Sequence, residues 1–331
     1  MSATAQQIKA LVESYVSQDD SRFRTVAMQI AAHSAKHGKT QLADELHALL
    51  DEAAKGRRVH VGTAKAIPLA RPTRDLAGLL LASYPKTRLS DMVLKHALSQ
   101  ELQLIVTEHR QRDKLRAHGL APRQRLLLVG PPGCGKTMTA YALAGECNLP
   151  LMSVQLHSLI TKFMGETAAK LHLVFEAMER TPGVYLFDEF DAIGSIRRSE
   201  NDVGEIRRVL NSFLQFLEHH TSDSLIIAAT NLMPLLDDAL FRRFDATLRY
   251  DLPADSEIRP LIENRLAAFQ TKRLGWTRIV KEAHGLSHAD IVRAAEGAAR
   301  MAVISPRESI STDDLIGALR ERRASRPGEN E

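Results

Sequence analysis

The chain has 331 residues, 44% of them apolar and 25% charged, with a net charge of +4. That length allows about two or three domains with a sizeable core, and the composition is that of an ordinary soluble protein rather than a fibrous or disordered one. Two cysteines, Cys134 and Cys147, exclude a disulfide scaffold and fit a reducing compartment. Residues 1–11 lack the apolar core of a signal peptide. The longest apolar run, residues 76–82, is too short to span a bilayer, so a cytoplasmic protein without a membrane partner is expected.

Residues 1–55 read as three amphipathic helices. Ile8, Leu11, Val12 and Tyr15 recur at helical spacing, Phe23, Val26, Ala27, Ile30 and Ala31 follow, and Leu42, Leu46, Leu49 and Leu50 complete the set. Short turns between them suggest an N-terminal three-helix bundle that serves as an adaptor. Residues 56–88 are interrupted by Pro68, Pro72 and Pro85 and are rich in Lys and Arg, with Asp75 as the opposing acid. This basic linker reads either as a solvated connector or as a contact for nucleic acid or an acidic partner.

From residue 89 to 252 strand and helix patterns alternate. Five apolar runs, residues 125–129, 151–154, 184–187, 225–229 and 246–250, have the continuous character of buried parallel strands. Helical stretches at 168–180 and 205–219 separate them. The expectation is an α/β domain with a five-stranded parallel sheet flanked by helices and ligands at the strands' C-terminal ends. Residues 253–322 return to helices, at 256–270, 277–283, 287–302 and 312–322, and residues 323–331 form a polar tail.

The first strand leads into Gly130-Pro131-Pro132-Gly133-Cys134-Gly135-Lys136-Thr137 and then a helix start at Met138. Strand, Gly-rich loop and helix in that order make a P-loop. Gly133 and Gly135 permit the tight turn that aims backbone N–H groups at phosphate oxygens, at a helix N-terminus that favours anions. Lys136 reaches the β- and γ-phosphates and the Thr137 hydroxyl ligates Mg²⁺. A nucleoside triphosphate is therefore expected. Cys134, at the helix start beside Lys136, is expected to favour thiolate and to make nucleotide binding sensitive to alkylation.

The third strand ends in Asp188-Glu189. Emerging beside the P-loop, it places Asp188 on the Mg²⁺ shell and leaves Glu189 to polarise a water for attack on the γ-phosphate, which argues for hydrolysis. The fourth ends at Thr230-Asn231, where a side-chain amide can hold that water or contact the γ-phosphate.

With these elements in order, the chain resembles an AAA+ ATPase, nearest the protein-remodelling and unfoldase-like branch, over roughly residues 89–320. The resemblance makes residues 130–137 Walker A, 184–189 Walker B, Asn231 sensor 1 and residues 253–322 a C-terminal helical lid. It implies ATP and Mg²⁺, held by Pro132, Gly133, Cys134, Gly135, Lys136, Thr137 and Met138, with Val93 beside adenine. His288 and Ala289, in a turn similar to the family's Ser-Gly-Ala-Asp turn, fall near the nucleotide. Residues 239–245 resemble the arginine-finger element, in which Arg242 or Arg243 acts on a neighbour's ATP in a homo-oligomeric ring, expected to be a hexamer. Lys162, Phe163, Met164 and Gly165 occupy the place of pore loop 1, whose aromatic residue grips polypeptide without regard to sequence. Residues 196–204 fall at a second pore loop or a solvated hairpin. The implied function is a motor that unfolds, threads or remodels proteins, with a protease or effector as a separate chain. Two alternatives remain: a factor acting on nucleic acid in the manner of a helicase loader, and an ATP-driven switch or adaptor.

Overall fold

The structure, a computed structural model, describes residues 76, 78–159, 164–191, 202–231, 241–267, 269, 271, 273–304 and 309–325, without the side chains of residues 164, 165 and 202–208. The expected N-terminal bundle, most of the basic linker, Lys162, Phe163 and residues 196–201 lie outside the described residues. Met164 and Gly165 are described in backbone alone, as the start of a helix.

A six-stranded sheet is built from β1 (Leu80–Ser83), β2 (Arg125–Val129), β3 (Leu151–Val154), β4 (Val184–Phe187), β5 (Leu225–Thr230) and β6 (Ala246–Arg249). Its order is β1-β3-β4-β5-β2-β6. The five expected strands are all present and run parallel. The sixth, β1, pairs antiparallel with β3, Leu80 opposite Val154 and Ser83 opposite Leu151. It arises within the segment expected to be linker. Its apolar residues mark a strand, while the prolines and basic residues around it give the segment a linker's composition.

Alternate residues of each central strand enter different cores, as the period of two requires. Leu127, Val129, Tyr185, Phe187, Ile226 and Ala228 pack on one face with α5 (Met164–Arg180) and α6 (Asp202–His219). There Phe175, Phe187 and Phe213 form an aromatic cluster with ring centroids 5.0–6.3 Å apart. Leu126, Leu128, Val184, Leu186, Ile227 and Ala229 pack on the other face with α1 (His96–Arg110) and α3 (Lys136–Cys147). Two short helices, α2 (Arg112–Ala117) and α4 (Leu156–Leu159), complete this body.

Residues 84–91 cross the C-terminal end of α3. A side chain on Gly145 would overlap the Thr87 carbonyl, so glycine is what allows the strap to lie so close. Arg88 donates to the Gly145 carbonyl and pairs with Glu146, which also takes Arg110 at 2.9 Å. One of the linker's cations thus serves a helix C-terminus, where positive charge is favoured.

The lid is four helices around their own core: α7 (Asp255–Arg265), α8 (Trp276–Ala283), α9 (His288–Ile304) and α10 (Thr312–Ala324). Ser311 caps α10 by accepting from the Asp314 N–H at 3.1 Å, while Asp314 accepts from the Ser311 N–H at 2.9 Å. No helix among the described residues is long and apolar enough to cross a membrane.

Candidate active site

The parallel register brings the site together. β5 lies between β4 and β2, with Phe187 opposite Ala228 and Val129 opposite Thr230. Gly130, Asn231 and Asp188, each following its strand, therefore emerge side by side at one end of the sheet.

Lys136 opens α3 and is 7% exposed. Its amine donates to the Gly130 carbonyl at 2.7 Å, the Pro131 carbonyl at 2.8 Å and the Asn231 side-chain carbonyl at 2.7 Å. Burial pushes its pKa below the ordinary lysine value, opposed by the nearby Cys134, Asp188 and Asp191. The Thr137 hydroxyl donates to Asp188 Oδ2 at 2.7 Å, so the two expected Mg²⁺ ligands touch. Paired hard oxygen donors of this kind are what Mg²⁺ selects, and the residues present fit that ion.

The Glu189 N–H donates back to Asp188 Oδ1 at 2.9 Å, and Glu189 itself has φ of 52°. A left-handed non-glycine residue carries backbone strain, here at the residue expected to activate water. Its side chain is exposed, as are those of Thr137 and Met138.

The lid reaches the P-loop through α9. The Ala289 N–H donates to the Gly133 carbonyl at 3.0 Å. Gly133 has φ of 75°, and a Cβ there would meet Ser287 Oγ at 2.7 Å and Ala289 Cβ at 3.1 Å. Ser287 is itself fixed, its hydroxyl donating to Asp290 Oδ2 at 2.7 Å. His288 is half-buried where body meets lid, and burial lowers its pKa, with Glu257 opposing the shift and Lys95 adding to it. Its Nδ1 has no hydrogen-bond partner among the described residues. Val93 packs against the lid core while Leu94 packs against the body, so the segment expected near adenine bridges the two.

Cys134 departs from expectation. Its side chain is 1% exposed and packs in the core beneath the loop. Its side chain is turned away from solvent, which leaves the backbone as the part that can face a phosphate.

The two candidate arginines separate. Arg243 pairs with Glu218 at the end of α6, whereas Arg242 is exposed and has no ion pair among the described residues. Both precede Ala246, which lies opposite Leu126 at the start of β2. At about 3.3 Å per residue, the strand alone puts about 10 Å between that level and the P-loop that follows Val129. Asp245 fixes the segment there, accepting from the Gln124 and Arg125 N–H groups at 2.8 and 2.9 Å.

Sequence reasoning missed three participants. Asp191 accepts from Thr230 and Asn231. Tyr250 shares a 2.6 Å hydrogen bond with Thr139 under the P-loop helix. Ser287 holds the lid turn. The acid three residues after Asp188 was a visible signal, as was the Ser-x-x-Asp spacing of Ser287 and Asp290; Tyr250 matters through packing that no local pattern encodes.

The profile of the ATPase family associated with various cellular activities (AAA) matches residues 126–252, from β2 through β6. The chain is 34% identical to the uncharacterized AAA family ATPase y4kL of Sinorhizobium fredii, over 99% of this chain and 98% of that one. It belongs to the AAA ATPase family. The expected family and ATPase activity are thereby borne out. This AAA ATPase is also 35% identical to a proteasome-activating nucleotidase of Thermococcus onnurineus, over 61% of its own length and 52% of that protein's. With the ATP-dependent zinc metalloprotease FtsH of Karelsulcia muelleri it shares 33% identity over 58% of its length and 33% of that protein's. The AAA ATPase thus spans about half or less of these two relatives, whereas it matches the Sinorhizobium protein nearly end to end.

Proposed function

We propose that this AAA ATPase works as a hexameric ring that uses ATP hydrolysis to unfold, thread or remodel proteins. The observation that carries the ring is the separation within one sheet. Lys136, Thr137, Asp188, Glu189 and Asn231 gather at one end, and Arg242 stands at the other. An arginine there is suited to another copy's nucleotide, where its planar and permanent charge stabilises the charge developing on the phosphoryl group.

In this reading Lys136 and the P-loop N–H groups hold the phosphates, and Thr137 with Asp188 would hold Mg²⁺. Bound there, the ion supplies neutralisation of β- and γ-phosphate charge. Glu189 accepts a proton from the attacking water and Asn231 orients it. The Ala289–Gly133 hydrogen bond joins lid to P-loop, so a change at the phosphates is felt by α9. Protein as the macromolecule acted on is supported by similarity to the proteasome-activating nucleotidase and by Phe163 in the place of a pore residue. The cytoplasm as its compartment and a separate protease as partner belong to the same reading.

Mixing two inactive full-length chains tests the shared site. Lys136→Ala keeps Arg242 and loses its own nucleotide; Arg242→Ala keeps the P-loop and loses the arginine. A mixture should recover ATPase activity that neither has alone, and no recovery from chains that do co-assemble sinks the shared site. Stimulation by an unfolded protein rather than single-stranded DNA, lost in Phe163→Ala, supports the protein motor; stimulation by DNA alone reverses that assignment.

A further inference from the structure

Asp191 lies three residues beyond Asp188 on the turn after β4, and nothing in the reading above gives it a task. Its Oδ1 accepts from the Thr230 hydroxyl at 3.2 Å and from the Asn231 N–H at 3.3 Å. Thr230 is fully buried as the last residue of β5, which fixes where its hydroxyl points. Asn231 follows, and its side-chain carbonyl takes the Lys136 amine at 2.7 Å.

The turn that carries Asp191 is itself anchored to β5. The Phe190 N–H donates to the Ala229 carbonyl at 2.8 Å, and the Phe190 ring is 1% exposed in the core. Ala229, Thr230 and Asn231 are thus each tied to the turn after β4. Asn231 is exposed at the point where the strand ends, so ladder hydrogen bonds no longer dictate its backbone direction. The Asp191 carboxylate supplies the acceptor that does.

We propose that Asp191 is a positioning residue for hydrolysis: it fixes the backbone of Asn231 and so aims the amide that orients the attacking water. The proposal rests on the role given to Asn231 above. A carboxylate suits the task because a single oxygen accepts from two donors at once. A small misplacement of an orienting group is costly in turnover, about 10–100-fold for second-layer partners of this kind, while ground-state binding changes little. A residue that merely caps the end of a strand would change stability and leave turnover alone.

Steady-state ATP hydrolysis by the full chain, with binding of a fluorescent ATP analogue and urea unfolding alongside, separates these roles. Asp191→Ala should lower kcat by about 10–100-fold with KM and analogue affinity within about threefold. Asp191→Asn keeps an acceptor oxygen and should recover most of the loss; Asp191→Ser, too short to reach, should not, and it replaces the alanine variant if that chain fails to fold. In Asn231→Ala, adding Asp191→Ala should slow turnover no further. Multiplying effects, a kcat unchanged in Asp191→Ala, or an asparagine variant as slow as alanine each overturn the positioning role while leaving Asn231 in place. Wild-type turnover in Asn231→Ala alone overturns the reading of Asn231 and this proposal with it.

Discussion

The Lys136 amine and the Asn231 side-chain carbonyl meet at 2.7 Å, joining the residue after β5 to the first residue of α3. The same amine spends its other donors on the Gly130 and Pro131 carbonyls, so Lys136 is fully satisfied by its own loop and one neighbour. Losing Asn231 therefore leaves two of three partners for a buried amine. Asn231→Ala is expected to keep nucleotide affinity within a few-fold while kcat falls on the order of 10²–10³-fold. Asn231→Asp should instead raise KM for ATP, because a carboxylate competes with phosphate for the ammonium. Steady-state kinetics on both variants checks the pair: an aspartate variant with unchanged KM would remove Lys136 from phosphate binding.

Glu189 gives a stability prediction that runs against its chemistry. Holding a non-glycine residue at φ of 52° costs about 1–2 kcal/mol, which glycine does not pay. Glu189→Ala keeps the strain and Glu189→Gly relieves it. Both should lose hydrolysis, but the glycine variant should be the more stable of the two by about 0.5–1 kcal/mol once its greater unfolded-state entropy is counted. Glu189→Gln should bind ATP yet hydrolyse it poorly. Urea titrations compare the stabilities, and equal midpoints would mean that the left-handed conformation is not held in solution.

Arg242 and Arg243 are adjacent in sequence and are expected to fail differently. The Arg243–Glu218 pair is about two-fifths exposed, so its loss should cost less than about 1 kcal/mol. Arg242 has no ion pair among the described residues to lose, and Arg242→Ala should leave the unfolding midpoint unchanged. Its effect should fall on turnover, where an arginine finger is worth roughly 10³–10⁵-fold. If Arg243→Ala abolishes turnover and Arg242→Ala does not, the two assignments exchange.

The strands and their catalytic ends were legible because buried parallel strands are continuous apolar runs, and the residue following each run is local in sequence. Val184-Tyr185-Leu186-Phe187 could hardly be read otherwise, and Asp188 follows it. β1 was harder to see, since four residues at an edge carry no pattern beyond apolarity and lie among prolines and cations. The choice between Arg242 and Arg243 was closed to sequence reasoning, because Glu218 is distant in the chain and reaches Arg243 only through the fold. The burial of Cys134 was hidden from sequence reasoning for a related reason. The helix start and Lys136 are local facts, whereas the orientation of its side chain into the core is a tertiary one.

That orientation makes the thiols slow to react. Cys134 is 1% exposed, and burial pushes the Cys147 thiol up to about 12. At pH 8 little thiolate is present at Cys147, and reagent does not reach Cys134. Native protein should resist iodoacetamide over the time in which urea-unfolded protein labels at both positions, and ATP turnover should persist through the treatment. Rapid labelling of Cys134 in the native chain, read by mass spectrometry, would show that the P-loop opens readily.

His109 sets a pH dependence away from the active site. It is 3% exposed on α1, and burial, with Arg112 as the leading charge against it, lowers its pKa to about 4; Asp223 opposes the shift, while Arg110 and Arg116 add to it. In the unfolded chain it titrates near 6.5, so between those values the unfolded state binds more protons than the folded one. Stability from this group is therefore complete above about pH 6.5 and is lost progressively as pH falls toward 4, on the order of 3 kcal/mol in all. His220, also buried and lowered, adds in the same direction. His109→Gln carries no charge at any of these values. Unfolding free energies measured by urea between pH 7 and 4.5 should thus fall less steeply in the variant than in the parent chain. Parallel curves would mean that His109 takes up its proton in the folded state at an ordinary pH.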